Sequence, residues 1–372
     1  MDNFKLCVPC LLGLEGPIAD ELRRMKMQNV HNENGRVYFT GGAKEIAKAN
    51  INLRIGERVL LELGRFRAET FDELFEKTKA LPWEMLIPRD AAFPVKGYSL
   101  NSKLFSVSDC QKIIKKAIVE RLKSVYGIEW FAETAETYQI QFSIMKDVAS
   151  LCIDTSGEGL HKRGYRPAHN AAPLKETMAA AMVSLSRYRG REDFCDPFCG
   201  SGTLLIEAAF KAMRMAPGLN RRFLAEKWEQ IPQTAWRNAR AEAVAHIKHD
   251  AAFEGFGYDI DPESVALAEE NCRRAGVKPR IAIHQQDIAD FVPPEGAITI
   301  CNPPYGERML DIQKAESLYP IMGDVFPAKK SNPCYIITPD ADFELHFGKP
   351  ADKKRKLYNG MIPCNLMSYF QD

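Results

Sequence analysis

Hydrophobic positions in residues 1 to about 150 form short runs of two kinds, some with the twofold period of a strand and others with helical spacing. Strands are predicted at 4–12, 36–40, 58–66, 93–100 and 139–144, and helices at 16–27, 44–52 and 70–81. The mixture predicts α+β structure in this half, and not one long parallel sheet.

One further helix is predicted between the last two of these strands. Its apolar residues recur at helical spacing from Ile113 to Val125, and Ser108 with Gln111 has the spacing of a capping box. Thr70 is a good N-cap for the helix predicted at 70–81. Lysines lie mostly off the apolar stripe, so we expect the later helix to have one buried and one positive face.

The pattern changes after residue 154. Residues 154–172 are rich in Gly, Ser, Pro and charged residues, which is typical of a linker between two halves. A helix at 173–187 then leads into strands at 192–198, 255–260, 280–286, 297–301 and 333–339, which alternate with helices, including an Arg-rich helical insertion at 219–248. Such alternation predicts an α/β second half, with a doubly wound, Rossmann-like parallel sheet.

Composition excludes several classes of protein. Hydrophobic residues make up 45% and charged residues 27% of the chain, as in an ordinary globular protein. We find no apolar run long enough to cross a bilayer and nothing resembling a signal-peptide cleavage site, so we expect a cytoplasmic protein without a membrane partner. The ten cysteines lie mostly in apolar segments, and Cys7 and Cys10 have no second pair at zinc spacing. We therefore expect reduced core thiols and no metal.

Local charge is more informative than the net charge of +1, which gives no argument for a polyanionic partner. Basic residues cluster at 112–123, 161–166 and 353–356. Each cluster alone is most often a solvated face. The candidate nucleic-acid contacts in the first two clusters are Lys112, Lys115, Lys116, Arg163, Tyr165 and Arg166.

The first chemical motif is DPFCGSGT at residues 196–203, which ends a predicted strand and opens an apolar helix at 204–213. Its glycines let the backbone approach a ligand closely, and the helix N-terminus offers free N–H groups. The spacing is not G-x-G-x-x-G and no Gly-Lys-Ser/Thr is present, so a dinucleotide fingerprint and a P-loop both fit poorly. A Gly-rich turn can also be purely structural.

Acidic residues follow the next two strands. Asp259 ends one strand and Asp287 ends the other. Both are also ordinary turn residues. Because the carboxyl ends of parallel strands share one crevice, however, Asp259 can reach the ribose of a bound nucleoside and Asp287 can accept a hydrogen bond from an adenine amine. Asp259 lies much further from Gly202 than the roughly 20 positions of a dinucleotide fold.

The motif with the clearest chemistry is Asn302-Pro303-Pro304-Tyr305, directly after the fourth strand. The prolines fix the backbone and remove donors, so the Pro303 carbonyl and the Asn302 side-chain oxygen can stand as two acceptors. Two acceptors suit an NH2 group, and hydrogen bonds to its protons favour the pyramidal nitrogen that attacks a sulfonium methyl. Tyr305 offers a flat face for an extruded base. These features point to methylation of an exocyclic base amine.

The four elements at 196–203, Asp259, Asp287 and 302–305 resemble motifs one to four of class I amino-methyltransferases. Residues 161–166 together with 172–176 resemble the segment that precedes them in bacterial THUMP-domain rRNA guanine-N2 methyltransferases of the large ribosomal subunit. Residues near 65–155, with FSVSDCQK at 105–112, resemble the THUMP RNA-binding domain, and residues 1–60 resemble its ferredoxin-like companion. The resemblance therefore covers nearly the whole chain.

The resemblance implies a domain order. We expect a ferredoxin-like domain at 1–60, a THUMP domain at 61–155, a linker at 156–172 and a class I methyltransferase domain at 173–372. Larger relatives carry a second methyltransferase domain, which we do not find here, so we expect a single methylation.

The resemblance also implies S-adenosylmethionine as methyl donor and a guanine amine in 23S rRNA, naked or in an assembling large subunit, as substrate. Gly200 and Gly202 would lie beside the methionine moiety, and Asn302 with Pro303 would bind the target amine. The expected cofactor-binding residues are Asp196, Phe198, Gly200, Ser201, Gly202, Thr203, Asp259, Ile260, Asp287, Ile288 and Asn302. The expected catalytic residues are Asn302, Pro303, Pro304 and Tyr305.

Three alternatives remain beside this prediction. An adenine-N6 methyltransferase acting on DNA or RNA would use the same four-residue motif, although DNA enzymes with this motif order generally place a recognition domain where only 67 residues remain. A catalytically inactive RNA-binding factor of ribosome assembly would keep the fold, but the intact motif at 302–305 argues against it. A nucleotide-dependent oxidoreductase fails on the glycine spacing.

Overall fold

Two mixed sheets of seven strands each organise the computed structural model, which describes residues 3–166, 174–305, 309–360 and 362–371. The first sheet has the order β2-β3-β1-β4-β7-β6-β5, and only β5 and β6 pair in parallel within it. Its strands are β1 (Phe4–Pro9), β2 (Gln28–Glu33), β3 (Arg36–Gly41), β4 (Leu60–Arg67), β5 (Val95–Leu100), β6 (Ile140–Met145) and β7 (Val148–Asp154). Its helices are α1 (Glu15–Arg24), α2 (Ala43–Asn52), α3 (Phe71–Lys79) and α4 (Val107–Tyr126).

The predicted elements of this half are confirmed, and two strands were not predicted. β2 has the sequence QNVHNE and buries none of its side chains, so it carries no hydrophobic signal. β7 follows β6 through Lys146 and Asp147, both at positive φ (51° and 62°). That geometry belongs to a tight hairpin turn that usually contains Asn-Gly or Asp-Gly, so the turn was hidden in the sequence.

Helix starts were predicted with mixed success. Thr70 caps α3 as expected, because its side chain accepts a hydrogen bond from the Glu73 N–H at 3.2 Å. The capping box predicted at Ser108 and Gln111 is wrong, because α4 already begins at Val107. The apolar stripe of α4 is confirmed for four of its predicted residues, which are buried: Ile114, Ala117, Ile118 and Leu122.

The second sheet has the order β10-β9-β8-β11-β12-β14-β13. The first five strands in that order are parallel, and β14 is antiparallel to both of its neighbours. The strands are β8 (Phe194–Asp196), β9 (Gly255–Asp259), β10 (Ile281–Gln285), β11 (Ile298–Cys301), β12 (Cys334–Thr338), β13 (Lys353–Asn359) and β14 (Ile362–Tyr369). The helices are α5 (Glu176–Leu185), α6 (Thr203–Ala212), α7 (Gln233–Ala245), α8 (Pro262–Arg274), α9 (Met309–Val325) and α10 (Phe343–Phe347).

The central strands of this sheet are buried on both faces, which explains why their sequences are mainly apolar. All four residues of β11 and all five of β12 are buried. The sequence pattern does not predict the hairpin of β13 and β14, because the first four residues of β13 are all basic and lack the alternation of a half-buried strand. β13 is an edge strand, and exposed lysines on an edge strand discourage pairing with another chain.

The segment predicted to be a linker is packed against the core as far as the structure describes it. Thr155 and Ser156 are buried, and the Asn50 amide of α2 hydrogen-bonds both hydroxyls at 2.9 and 2.6 Å. Residues 167–173 lie outside the described residues, and the helix predicted from 173 begins at Glu176. Within the described ranges, the search for a helix that is both long and apolar enough to cross a membrane finds none.

Candidate active site

A cavity of about 450 Å³ opens where β8, β9, β10 and β11 end. This is the edge at which an open α/β sheet binds ligands, because the loops that follow the parallel strands converge there. The cavity is lined by Leu174, Asp196, Pro197, Phe198, Cys199, Gly200, Ser201, Thr203, Leu204, Asp259, Ile260, Gln286, Asp287, Ile288, Asn302, Pro303, Pro304, Tyr305 and Leu318. The structure thus brings together all but one of the residues predicted for cofactor binding and catalysis.

The exception is Gly202, which shapes the loop and does not line the cavity. It adopts φ +76° immediately before α6, and an added Cβ would lie 3.2 Å from the Cβ of Ala268. Gly200 also has a positive φ, of +49°, but an added Cβ there would meet open space. One glycine therefore serves the turn and the packing, whereas the other leaves room beside the cavity.

Asp259 is held by backbone donors on both carboxylate oxygens. The N–H of Gly200 donates to Oδ2 at 2.9 Å, and the N–H of Asp261 donates to Oδ1 at 3.0 Å. Asp261 itself caps α8 by accepting from the N–H groups of Glu263 and Ser264. The hydrogen bond from the Gly200 N–H to the Asp259 carboxylate thus joins the first two motifs. Asp259 lines the cavity, whereas the Asp261 carboxylate caps α8.

Asp196 is the most deeply buried acid of the cavity, with 1% of its surface exposed. Burial raises the pKa of its carboxyl to about 8 against the lowering effect of the Phe198 N–H, which donates to it at 3.2 Å. The Asp259 carboxylate raises this pKa further. Near neutral pH the cavity therefore contains a carboxyl that holds a proton and that a cationic ligand would help to ionise.

Asp287 and two isoleucines line another part of the cavity. Asp287 is exposed, and one of its oxygens accepts from the Ala289 N–H at 2.9 Å. Ile260 is 65% exposed although it is a large apolar residue, and Ile288 is buried. Apolar side chains beside a hydrogen-bonding carboxylate can accommodate a flat heteroaromatic ring and read its polar edge.

The motif at 302–305 is at the cavity and is not sealed in the core. The Asn302 Oδ1 atom is buried, and no donor among the described residues hydrogen-bonds it. Pro303 is buried, Pro304 is exposed, and Tyr305 is half-buried. The phenol oxygen of Tyr305 accepts a hydrogen bond from the side chain of Asn359. An unpaired buried acceptor costs about 1–3 kcal/mol, so Asn302 is suited to a donor that a ligand supplies.

Several residues of the site were missed at the level of sequence. Gln286 could have been found, because it sits directly before Asp287 at a predicted strand end. Leu174 and Leu318 carry no such signal. Asn271, buried in the last turn of α8, donates to the Ser201 carbonyl at 3.0 Å and thereby restrains the glycine loop. Such a contact, made across 70 positions, is invisible to local patterns.

Two of the predicted RNA contacts are wrong, because the structure places them in the interior. The Arg163 side chain is 1% exposed and forms an ion pair with Glu207 of α6 at 3.0 Å, and it also donates to the Leu160 carbonyl. Tyr165 is 4% exposed and its ring packs edge-on against Phe210. Neither side chain can reach RNA from these positions.

Arg166 is also directed inward, toward the glycine loop. It donates to the hydroxyl of Thr203 and to the carbonyl of Leu174, and it lies 3.5 Å from the Glu176 carboxylate. Its side chain is 11% exposed. This arginine supports the wall of the cavity, so its prediction as an RNA contact is corrected as well.

The lysines of α4 are only partly available. Lys115 is paired with Glu133 at 2.7 Å and lies over the Phe93 ring, so it serves the packing of the THUMP-like half. Lys112 and Lys116 are exposed, although Lys112 lies 3.6 Å from Asp109. The positive face of α4 is therefore narrower than predicted, and it centres on these two residues.

All ten cysteines are free thiols. A search of the described residues for three or more His, Cys, Asp or Glu side chains that could hold a metal ion finds no such group.

The strand order of the second sheet and the position of its cavity define a class I methyltransferase fold. Comparison with family models gives the finer assignment. Residues 163–368 match the RMKL-like methyltransferase domain, residues 5–60 the RlmL ferredoxin-like domain, and residues 68–154 the THUMP domain. The chain belongs to the RMKL-like methyltransferase family, and the resemblance predicted from its motifs is confirmed.

Two curated relatives illustrate its place in the family. The chain is 42% identical over 373 residues to YpsC of Bacillus subtilis, which is named as a candidate RNA methyltransferase. That match covers 100% of this chain and 97% of YpsC. The chain is 32% identical over 375 residues to the ribosomal RNA large subunit methyltransferase K/L of Psychromonas ingrahamii. That match covers 97% of this chain and 49% of the relative, so this chain spans about half the length of the K/L protein.

Two solved structures have the same architecture throughout. One is a Listeria monocytogenes protein named as a predicted N6-adenine-specific DNA methylase, with 44% identity, a TM-score of 0.94 and coverage of 100% of this chain and 97% of that one. The other is SMU.472, a methyltransferase by name, solved as a complex with SAH. It shares 39% identity and a TM-score of 0.93, with coverage of 100% and 99%.

Proposed function

We propose that the protein transfers a methyl group from S-adenosylmethionine to the exocyclic N2 of a guanine in 23S rRNA. The observation that carries the proposal is the Asn302 Oδ1 atom, a buried acceptor without a partner among the described residues, on a residue that lines the strand-end cavity. The N-terminal THUMP domain favours RNA as the substrate, and the K/L relative favours rRNA of the large subunit.

The cavity fits S-adenosylmethionine. Its volume of about 450 Å³ lies in the range of small-molecule cofactor sites. Asp259 would accept from the ribose hydroxyls, Ile260 and Ile288 would contact the adenine, and Asp287 would accept from the adenine amine. Gly200 leaves open space for the methionine moiety, and SMU.472, with the same fold, binds the demethylated product. The cofactor would supply an electrophilic methyl group.

The chain's own residues would prepare the amine. Asn302 Oδ1 and the Pro303 carbonyl would accept the two amine protons, which favours a pyramidal nitrogen with its lone pair directed at the donor. Tyr305 would stack on the extruded base. Positioning and polarisation would supply the rate, with no strong base. After methylation the nitrogen is acidic enough to lose its proton to water or a nearby acceptor.

Adenine-N6 methylation is the second candidate, because the same two acceptors serve either amine and the Listeria relative carries that name. An inactive assembly factor is the third, and failure to bind S-adenosylmethionine would identify it. The matched family domains at 5–60 and 68–154 favour RNA over DNA for either activity.

The test is methyl transfer in vitro. Purified protein is incubated with isotopically labelled S-adenosylmethionine and either 23S rRNA from cells that lack the gene, an assembling large subunit, or duplex DNA, and the labelled nucleoside is identified by mass spectrometry. We expect N2-methylguanosine from rRNA or from the particle. Label in N6-methyladenosine would replace the proposal with the second candidate, and cofactor binding without transfer to any substrate would refute it.

A further inference from the structure

The hairpin of β13 and β14 reaches the catalytic edge of the sheet, although nothing in its sequence marks it as part of the site. β14 is antiparallel to both β12 and β13, so β13 runs in the same direction as β12 and β11. Asn359, the last residue of β13, therefore lies at the same edge as the motif that follows β11.

The sequence pattern of β13 places Asn359 on the inner face. Side chains alternate along a strand, and Leu357 and Asn359 are both buried, whereas Lys356 and Tyr358 between and beside them are exposed. Asn359 is 9% exposed. A nearly buried amide at the end of a basic edge strand is unusual, since asparagine side chains are mostly exposed.

The Asn359 amide donates a hydrogen bond to the phenol oxygen of Tyr305. The two residues are 54 positions apart in sequence, and the hydrogen bond is made at the end of the tyrosine side chain furthest from the backbone. A tyrosine side chain can rotate about its Cα–Cβ and Cβ–Cγ bonds. The phenol oxygen lies on the axis of the second bond, so a hydrogen bond to it restrains rotation about the first bond and thereby fixes where the ring lies. The position of the ring in turn determines where a base can stack on it.

We propose that Asn359 is a positioning residue for methyl transfer, which holds the Tyr305 ring in the place where it presents the target base to Asn302 and the methyl donor. This inference rests on the proposed function and adds to it a role for the β13–β14 hairpin. Asn359 does not line the cavity, so its effect on the base would pass through Tyr305. Small displacements of a bound base reduce transfer strongly, because the attacking nitrogen must lie in line with the methyl group.

The test compares three variants in single-turnover methyl transfer to rRNA. Asn359→Ala removes the donor, Tyr305→Phe keeps the ring and removes the acceptor, and the double variant removes both. Loss of a neutral hydrogen bond corresponds to roughly a tenfold effect. We expect each single variant to lower the transfer rate about tenfold without changing cofactor affinity, and the double variant to lose no more than the worse single variant.

Tyr358→Phe is the matched control, because it removes a phenol hydroxyl from the neighbouring exposed residue, and it should transfer at the wild-type rate. Wild-type transfer by Asn359→Ala, or losses that multiply in the double variant, would overturn the inference. If Asn359→Ala does not fold, Tyr305→Phe decides alone, since full activity without the hydroxyl would overturn it equally. Wild-type protein that methylates no RNA amine would refute the proposed function before any variant is compared.

Discussion

Replacing Asn302 by alanine should abolish most methyl transfer and leave cofactor binding nearly unchanged. The variant removes one of the two proposed acceptors of the target amine and keeps the rigid prolines that follow it. Because Asn302 Oδ1 is buried and has no partner among the described residues, it is available to the substrate without first breaking another hydrogen bond. In the proposed reaction, this oxygen would therefore be free to accept a hydrogen bond from the target amine.

The expected magnitude follows from this preorganisation. A buried acceptor without a partner costs the empty protein about 1–3 kcal/mol, and a bound amine relieves that cost. Removing a single preorganised hydrogen-bonding group from an enzyme site typically lowers kcat by roughly 10² to 10³, or about 2.7–4 kcal/mol. We expect Asn302→Ala to fall in this range, and Asn302→Asp, which keeps an acceptor in the same place, to retain more activity.

The assay is single-turnover transfer of labelled methyl to 23S rRNA, with cofactor affinity measured separately by calorimetry. Asn238→Ala is the control, because Asn238 is an exposed asparagine on α7, away from the cavity residues. An Asn302→Ala protein that transfers methyl at the rate of the control would refute the reasoning. So would a loss that is explained entirely by weaker cofactor binding.

Three further predictions test other parts of the account. Burial raises the pKa of the Asp196 carboxyl to about 8, and a cationic ligand favours the ionised carboxylate. Cofactor affinity should therefore rise by up to about tenfold per pH unit below pH 8 and level off above it. Asp196→Asn should remove this dependence in calorimetric titrations, and a flat wild-type profile would contradict it. Glu207→Ala leaves the buried Arg163 charge without its ion-pair partner. The free energy of unfolding should therefore fall by about 3–5 kcal/mol in denaturant titrations. An unchanged midpoint would show that this ion pair does not stabilise the fold. Lys112→Glu combined with Lys116→Glu should weaken RNA binding and reduce its salt dependence, and equal affinities for the variant and wild type across salt concentrations would remove α4 from the interface.

The candidate site could be predicted largely because it follows a topological rule. Residues that end parallel strands meet at one edge, so Asp196, Asp259, Asp287 and Asn302 could be assigned to one crevice although they are far apart in sequence. The buried strands themselves have short, mainly apolar sequences, as in β11. Where strands and helices alternate regularly, the position of a residue after a predicted strand was sufficient to assign it to the cavity.

Contacts between distant elements could not be predicted in this way. Arg163 belongs to a basic cluster in the sequence, yet its partner Glu207 lies 44 positions later on the helix that follows the glycine loop. Asn271 and Asn359 likewise act on loops that only the folded chain brings near them. Local charge indicates that a residue is polar, whereas its exposure depends on partners that local patterns do not identify.

Two of the four strands that were missed, β2 and β13, have a weak hydrophobic signal. β2 and β13 lie at sheet edges and carry polar or basic residues, because only one of their sides pairs with a neighbour. Edge strands are commonly polar for this reason. Because β13 was not recognised, its last residue Asn359, which hydrogen-bonds Tyr305, was not recognised either.

The most direct test of the central claim is the nucleoside composition of 23S rRNA from cells that lack the gene, compared with the parent and with cells that express Asn302→Ala. We expect one N2-methylguanosine to be lost, to return with the wild-type gene, and to remain absent with the variant. Unchanged N2-methylguanosine, loss of N6-methyladenosine in its place, or full restoration by Asn302→Ala would contradict the account.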